Sequence, residues 1–303
     1  MRQITQEKIK SSIANHQLPD SYANDVATFM LPVANRLFTK QQDKPLIVGI
    51  QGSQGSGKST SAVFLKLLLE FEFDLKVATV SIDDFYLSNK ERQALAKNIH
   101  PLLKTRGVPG THHTDLITQQ FNNFRSKDKL TLPQFDKATD NPKPKSEWLS
   151  IDHQPDVLIF EGWCVGLTAQ QKEHLTPAIN QLEKNEDANG EWRAFVNKKL
   201  SQEYAYIFSQ LDTLIVLQAP SFDCVFEWRQ LQEQKLISKL EAQGKNTTLT
   251  LTPEKVKRFI QHYQRLTEHG LESLSKQANF ILELNANHKI TSLKIPPLSE
   301  ELE

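Results

Sequence analysis

The chain is poor in cysteine: Cys164 and Cys224 are the only two in 303 residues. Two thiols build no disulfide framework, and their scarcity fits a reducing compartment. The opening stretch MRQITQEKIKSSIANHQLPD holds no apolar h-region, so no secretory signal is read there. No apolar run approaches the ~18 residues that a membrane-spanning helix needs. A cytoplasmic protein without a membrane partner is expected. Surplus charge is missing too. Lys and Arg total 36, Asp and Glu total 36, and the formal net charge is zero. No whole-molecule field therefore points to nucleic acid, although a local basic pocket stays open. Internal repeats and low-complexity tracts are absent as well.

What is present reads as an α/β protein. Residues 1–43 look helical, with Val26, Phe29, Met30, Val33, Ala34 and Leu37 forming an apolar stripe at helical spacing. This segment is expected to be a helical N-terminal extension packed on the main domain. Five apolar runs follow: PLIVGI (45–50), LKVATVSI (75–82), PDVLIFE (155–161), LDTLIVLQA (211–219) and ANFILEL (278–284). They alternate little, as strands buried on both faces do. The material between them is long enough for helices. Strand and helix in turn predict a three-layer sandwich with a five-stranded, mostly parallel sheet. Residues 84–152 are polar, turn-rich and proline-rich, and read as a substrate-side insertion with short helices. EKNEDANGEW (183–192) reads as a solvated surface turn. LTPEKVKRFI (251–260) offers a helix start, with Thr252 as N-cap and Pro253 at the first helical position. The main domain spans 44–292, and 293–303 is a tail.

The stretch LIVGIQGSQGSGKST (46–60) gives up side chains where the first run ends. Its GSQGSGKS core fits G-x-x-x-x-G-K-[ST], the phosphate-binding loop. Glycines let the backbone take positive φ and come close to a ligand. Successive N–H groups then converge on an anion, and the following helix points its positive end there. Gly52, Ser53, Gln54, Gly55, Ser56, Gly57, Lys58, Ser59 and Thr60 are the candidate nucleotide-binding residues. Lys58 would reach the β- and γ-phosphates of a nucleotide, and Ser59 would ligate Mg²⁺; the loop alone suits a GTPase, a transport ATPase or a kinase. The flanking strand-like and helix-like runs are the context that the mechanism requires.

Two acidic signals follow. SIDDFYLS (81–88) ends the second run and puts Asp83 and Asp84 at a strand's C-terminal edge, where open α/β sheets bind ligands. A small-molecule kinase needs a carboxylate that accepts or orients the acceptor's hydroxyl proton. Adjacent strand residues face opposite ways, so one aspartate is expected to face the chemistry and the other a partner. VLIFEGW (157–163) delivers Glu161 to the same edge, as a Mg²⁺ ligand or its water-mediated partner. Isolated His262, His269 and His288 lack metal-ligand spacing and are expected at the surface or at helix ends. Cys164 reads as a small buried side chain, and Trp163 and Trp228 as core or pocket wall. The Asn-Lys-x-Asp guanine motif is absent, which disfavours a GTPase.

GSQGSGKST, DDFYL and FEGW together resemble the P-loop kinases of the phosphoribulokinase, uridine kinase and pantothenate kinase group. RGVPGTHHTD (106–115), LPQFDKATD (132–140), FEGWCVG (160–166), APSFDCVFEWRQLQEQKL (219–236) and ILELNANHKI (281–290) are similar to the glycerate kinase family within that group. The likeness runs over roughly residues 40–292. It implies Asp83 as catalytic base, with a place near the metal, and Glu161 as an acidic residue near Mg²⁺. Arg229 falls where these kinases carry a lid arginine, the lid covering 221–250. Its alternative reading is an i,i+4 pair with Glu233. For a glycerate carboxylate, Arg106 is the first candidate. Asp84, His112, His113, Asp115 and Lys137 could complete the pocket. The likeness departs at Asn141, where arginine is usual in the family.

The resemblance implies ATP-dependent phosphorylation of D-glycerate to 3-phosphoglycerate. Two alternatives stand beside it. One is a kinase of another hydroxylated metabolite, such as a nucleoside, pantothenate or a sugar. The other is an ATP-binding regulatory protein without small-molecule turnover.

Overall fold

A computed structural model of the chain describes residues 1–42, 44–242 and 251–296. Parts of three expected segments thus lie outside the described residues: position 43 of the extension, 243–250 of the lid and 297–303 of the tail. The five apolar runs become the strands β1 (Leu46–Gly52), β2 (Val77–Ser81), β3 (Val157–Gly162), β4 (Thr213–Gln218) and β5 (Phe280–Leu284). A sixth strand, β6 (Ile290–Lys294), joins them, and the spatial order is β6-β5-β4-β1-β3-β2. The first five are parallel; β6 pairs antiparallel with β5. Five strands were expected. The sixth, ITSLK, is a half-exposed edge strand that mixes polar and apolar residues, so it makes no continuous apolar run.

Alternation within each strand sorts the core into two layers. Leu46, Val48, Ile50, Ile159, Ile215 and Leu217 face one side; Ile47, Leu158, Phe160, Leu214 and Val216 face the other. The principal helices are α1 (Gln3–Asn15), α2 (Leu31–Gln41), α3 (Lys58–Phe71), α4 (Thr114–Ser126), α5 (Glu191–Lys199), α6 (Phe222–Ala242) and α7 (Pro253–Ser273). Leu37 of α2 and Phe64 and Leu68 of α3 cover the first face. Phe121 and Phe124 of α4, Trp192 of α5 and Leu266 of α7 cover the second. Val26, Met30, Val33, Ala34 and Leu37 are buried and Phe29 partly so, which makes the N-terminal helices part of this core. Among the described residues no helix is long and apolar enough to cross a membrane.

The insertion at 84–152 holds short helices, as expected, and two small antiparallel ribbons. Leu130–Leu132 pairs with Leu149–Ile151, and Phe135–Asp136 with Asn141–Pro142. Thr252 caps α7 as expected, its hydroxyl accepting from the Lys255 N–H, with Pro253 at the first position. The stretch 183–192 differs from a solvated turn. Glu183, Asp187 and Trp192 are buried. Arg265 of α7 donates to both carboxylate oxygens of Glu183 at 2.7 and 2.6 Å. Arg193 reaches Asp187 at 3.0 Å. Glu183 looks like surface until Arg265, 82 residues away, folds back on it. His262 is buried too, against Trp192, rather than at the surface.

Breaking the Glu183–Arg265 pair leaves a buried guanidinium uncompensated. Glu183→Ala is expected to lower stability by about 3–5 kcal/mol in urea unfolding; a loss below about 1 kcal/mol would mean that solvent reaches Arg265.

Candidate active site

The strand register builds the site. Ile50 on β1 aligns with Glu161 on β3, and Glu161 aligns with Ser81 on β2. The loop after β1, the carboxylate of Glu161 and the turn after β2 therefore emerge at one edge. The loop turns through Gly55 (φ 79°) and Gly57 (φ 87°), and α3 starts at Lys58. Gly55 is constrained twice, since a Cβ there would sit 2.7 Å from the Cβ of Trp228 on α6. The hydroxyls of Ser53 and Ser56 are buried inside the turn, without a partner among the described residues. Gln54, Gly55, Lys58 and Ser59 line a cavity of about 680 Å³. Thr60, also a candidate, lies one residue further along α3 and is not in that lining.

Across the loop, the Ser59 hydroxyl donates to Glu161 Oε1 at 2.9 Å. Glu161 is buried, and its Oε2 has no partner among the described residues. A hydroxyl beside a carboxylate with one oxygen to spare is a hard-oxygen donor set that fits Mg²⁺.

Asp83 and Asp84 lie in a 3₁₀ turn, Ile82–Phe85, rather than in β2 itself. Successive residues in such a turn are about 120° apart, not opposed, and both aspartates line the cavity. The Ser81 hydroxyl accepts the Asp83 N–H at 3.2 Å and starts the turn. Asp83 Oδ1 accepts from the Tyr86 hydroxyl at 2.8 Å, and Oδ2 from the Lys137 ammonium at 2.9 Å. Burial pushes the Asp83 carboxyl up, but the charges of Lys137 and Lys58 with the two hydrogen bonds outweigh it and hold the group below the usual aspartate range. Asp84 is raised instead, by burial first and by the Asp83 charge, against the Phe135 N–H that donates to it at 3.3 Å. The two neighbouring carboxyls are thus shifted in opposite directions, Asp83 down and Asp84 up.

Arg106 lines the opposite wall with its guanidinium 5.6 Å from the Phe135 ring centre, paired with Asp140. Asp140 also takes the buried Arg92 at 2.6 Å. The backbone beside Arg106 is clamped. Tyr263 donates to the Arg106 carbonyl at 3.0 Å, and the Trp163 indole to the Gly107 carbonyl at 2.9 Å. Lys137 lies between the strands of the ribbon 135–142 and reaches into the cavity. Arg229 of α6 lines it too while pairing with Glu233 at 2.7 Å, so the i,i+4 pair is present and the guanidinium still borders the cavity.

Three of the substrate-side candidates are not brought to the cavity. His112 is buried behind it, bonded to the Tyr204 hydroxyl at 2.6 Å and stacked on Tyr86 at 4.6 Å. His113 precedes α4 and lies 3.5 Å from Glu91, and Asp115 is exposed in the first turn of α4. The backbone turns into α4 here and carries both away. Asn141, the departure from the family pattern, accepts the Asn89 N–H at 3.1 Å and is outside the lining. Sequence reasoning missed Tyr86, Gln232, Phe259 and Tyr263 as cavity residues. Phe259 and Tyr263 stand four apart on one face of α7, a spacing visible in FIQHY.

No family model matches the chain. The uncharacterized kinase mug58 of Schizosaccharomyces pombe is 31% identical over 250 residues, 79% of this chain and 86% of that protein. The chloroplastic D-glycerate 3-kinase of Arabidopsis thaliana is 28% identical over 61% of this chain and 40% of its own length. Among solved structures, a D-glycerate 3-kinase from Cryptococcus neoformans superposes with a TM-score of 0.70 at 24% identity, covering 88% of this chain and 97% of that one. That last likeness establishes the fold.

Burial lowers the His112 pKa to about 3, against a small opposing pull from Asp83. The unfolded chain takes up that proton near pH 6.5, so its stability contribution is complete above that pH and is lost as pH falls towards 3. From pH 7 to pH 5, His112 alone should cost about 2 kcal/mol. Urea unfolding at the two pH values should show a smaller difference for His112→Gln than for the parent. An unchanged difference would contradict a neutral, buried imidazole.

Proposed function

The chain belongs to the D-glycerate 3-kinase-like branch of the P-loop kinases, and within it we propose that it transfers the γ-phosphoryl group of ATP to a hydroxyl of D-glycerate, giving 3-phosphoglycerate. One observation carries this reading: the phosphate loop, Asp83 and the cations Arg106 and Lys137 line a single cavity. Backbone amides of 52–59 and the Lys58 ammonium hold the triphosphate. Ser59 and Glu161 would hold Mg²⁺, which would supply charge neutralisation at the phosphates. Asp83 is less suited to the metal, because its oxygens already bond Tyr86 and Lys137.

Arg106 faces the acceptor's carboxylate, a planar anion that suits a guanidinium. Asp83 takes the acceptor's hydroxyl proton. The freed oxygen bonds to the γ-phosphorus as the bond from phosphorus to the β,γ-bridging oxygen breaks, and ADP leaves with that electron pair. Arg229, on the helix that would close over the cavity, meets charge on the group in transfer. Two free cysteines, Cys164 and Cys224, favour the cytoplasm as the setting.

Release of ADP from ATP and Mg²⁺ should be measured with D-glycerate, glycerol, a nucleoside, pantothenate and a sugar. D-glycerate should give the highest kcat/KM. Turnover of another compound with none of glycerate would overturn the acceptor. Asp83→Asn should lower transfer by about 10²–10⁴-fold with nucleotide affinity kept; parent activity in that variant would remove Asp83 from the role.

A further inference from the structure

The two oxygens of Asp83 are held by donors of opposite character. Tyr86 is only 4% exposed. Its ring is stacked on His112 and set edge-on to Phe135 at 5.4 Å, and His112 is itself fixed by Tyr204. The bond from its hydroxyl to Oδ1 is therefore built into the core. Lys137 is different. Its side chain is 61% exposed, and among the described residues Asp83 is its one hydrogen-bonding partner. It sits at the turn of a two-residue ribbon, on a flexible four-carbon stem. The ammonium end of this pair is in solvent on a mobile stem, whereas the Tyr86 hydroxyl is held in the core, so the contact at Oδ2 is the more easily exchanged of the two.

Oδ1 is tied to a donor buried in the core, so Oδ2 is the oxygen an acceptor hydroxyl reaches more readily. While Lys137 stays there, it competes with that hydroxyl for the oxygen's remaining acceptor capacity and holds down its basicity. The ribbon shows what can draw it off. Asp140, three residues beyond Lys137, orients Arg106 against Phe135, so Arg106 and Lys137 enter the cavity from neighbouring anchor points. An anion placed on Arg106 offers the Lys137 ammonium a second carboxylate in exchange for Asp83. A neutral polyol, or water, offers none.

We propose that Lys137 is a displaceable lock on Asp83, opened by the acceptor's own carboxylate, so that hydroxy acids are selected over neutral polyols and water at the step where the hydroxyl meets its proton acceptor. The lock rests on the reading of Asp83 as that proton acceptor. With an acid bound, Lys137 moves to the substrate's carboxylate and the hydroxyl proton passes to Oδ2, the phosphoryl group moving as written above. Without one, Lys137 stays on Oδ2 and restrains hydrolysis of ATP. Specificity is thereby set by a competing contact as well as an attractive one.

The test is Lys137→Met, an exposed change that keeps the length of the stem. Three rates should be read: kcat and KM for D-glycerate, kcat/KM for glycerol, and ADP release without acceptor. The KM for glycerate should rise roughly tenfold with loss of one charge-assisted contact. The glycerol and acceptor-free rates should each increase, by roughly three- to fivefold for a surface pair released. A lysine that only binds the carboxylate would leave the last two rates at parent values, and a structural lysine would lower all three; either result overturns the lock. Asp83→Asn is run alongside. If it keeps parent activity, or if glycerate is not phosphorylated at all, the reading of the site fails and the lock falls with it. If Asp83→Asn is inactive while Lys137→Met leaves the glycerol and acceptor-free rates unmoved, only the lock fails.

Discussion

The parallel register of β2, β3 and β1 is the constraint on which the rest of the structure depends. Parallel strands with buried faces leave one common edge, and whatever follows their C-terminal ends meets there. In this chain, three different pieces follow: a glycine-bearing loop, a carboxylate and a 3₁₀ turn. None of them is a site alone. Aligned by Ile50, Glu161 and Ser81, they put Ser59 on Glu161 and two aspartates on the wall of the same cavity. The apolar side chains sorted to the two faces of the sheet hold that alignment, so the function rests on packing far from the chemistry.

The chain has no net charge, yet its cavity is densely charged. Cations come from the loop, the insertion and α6; acids come from β3, the turn after β2 and α6. Several are tied to side-chain partners in the lining or just beyond it. Arg106 is tied to Asp140, Asp140 to Arg92, and Arg229 to Glu233. Such ties fix direction, which matters more than count where phosphoryl transfer depends on positioning. Asp83 differs from its neighbour because two donors and two lysines face it, whereas Asp84 has a backbone N–H and a like charge beside it.

Much of this was legible in the sequence. The β-branched runs marked five strands, because a strand buried on both faces must be apolar throughout. The phosphate loop was legible for a similar reason: its backbone geometry admits few residue types. Three things were not. Strand β6 is half-exposed and so carries no apolar signature. Glu183 and Arg265 are charges that became core only by pairing over a long stretch of chain. The wall residues Tyr86, Phe259 and Tyr263 look like ordinary apolar positions until the fold shows what they face. His112, His113 and Asp115 were adjacent in a suggestive stretch, but the start of α4 separated them from the cavity.

Titration calorimetry of Mg²⁺-loaded ATP into the parent protein and into Lys58→Ala tests most directly whether the loop at 52–59 grips a triphosphate. The parent should bind with clear heat, and the variant should bind roughly 10–100-fold more weakly through loss of one charged donor. Equal affinity in the two proteins, or no heat from the parent, would contradict the account at its base.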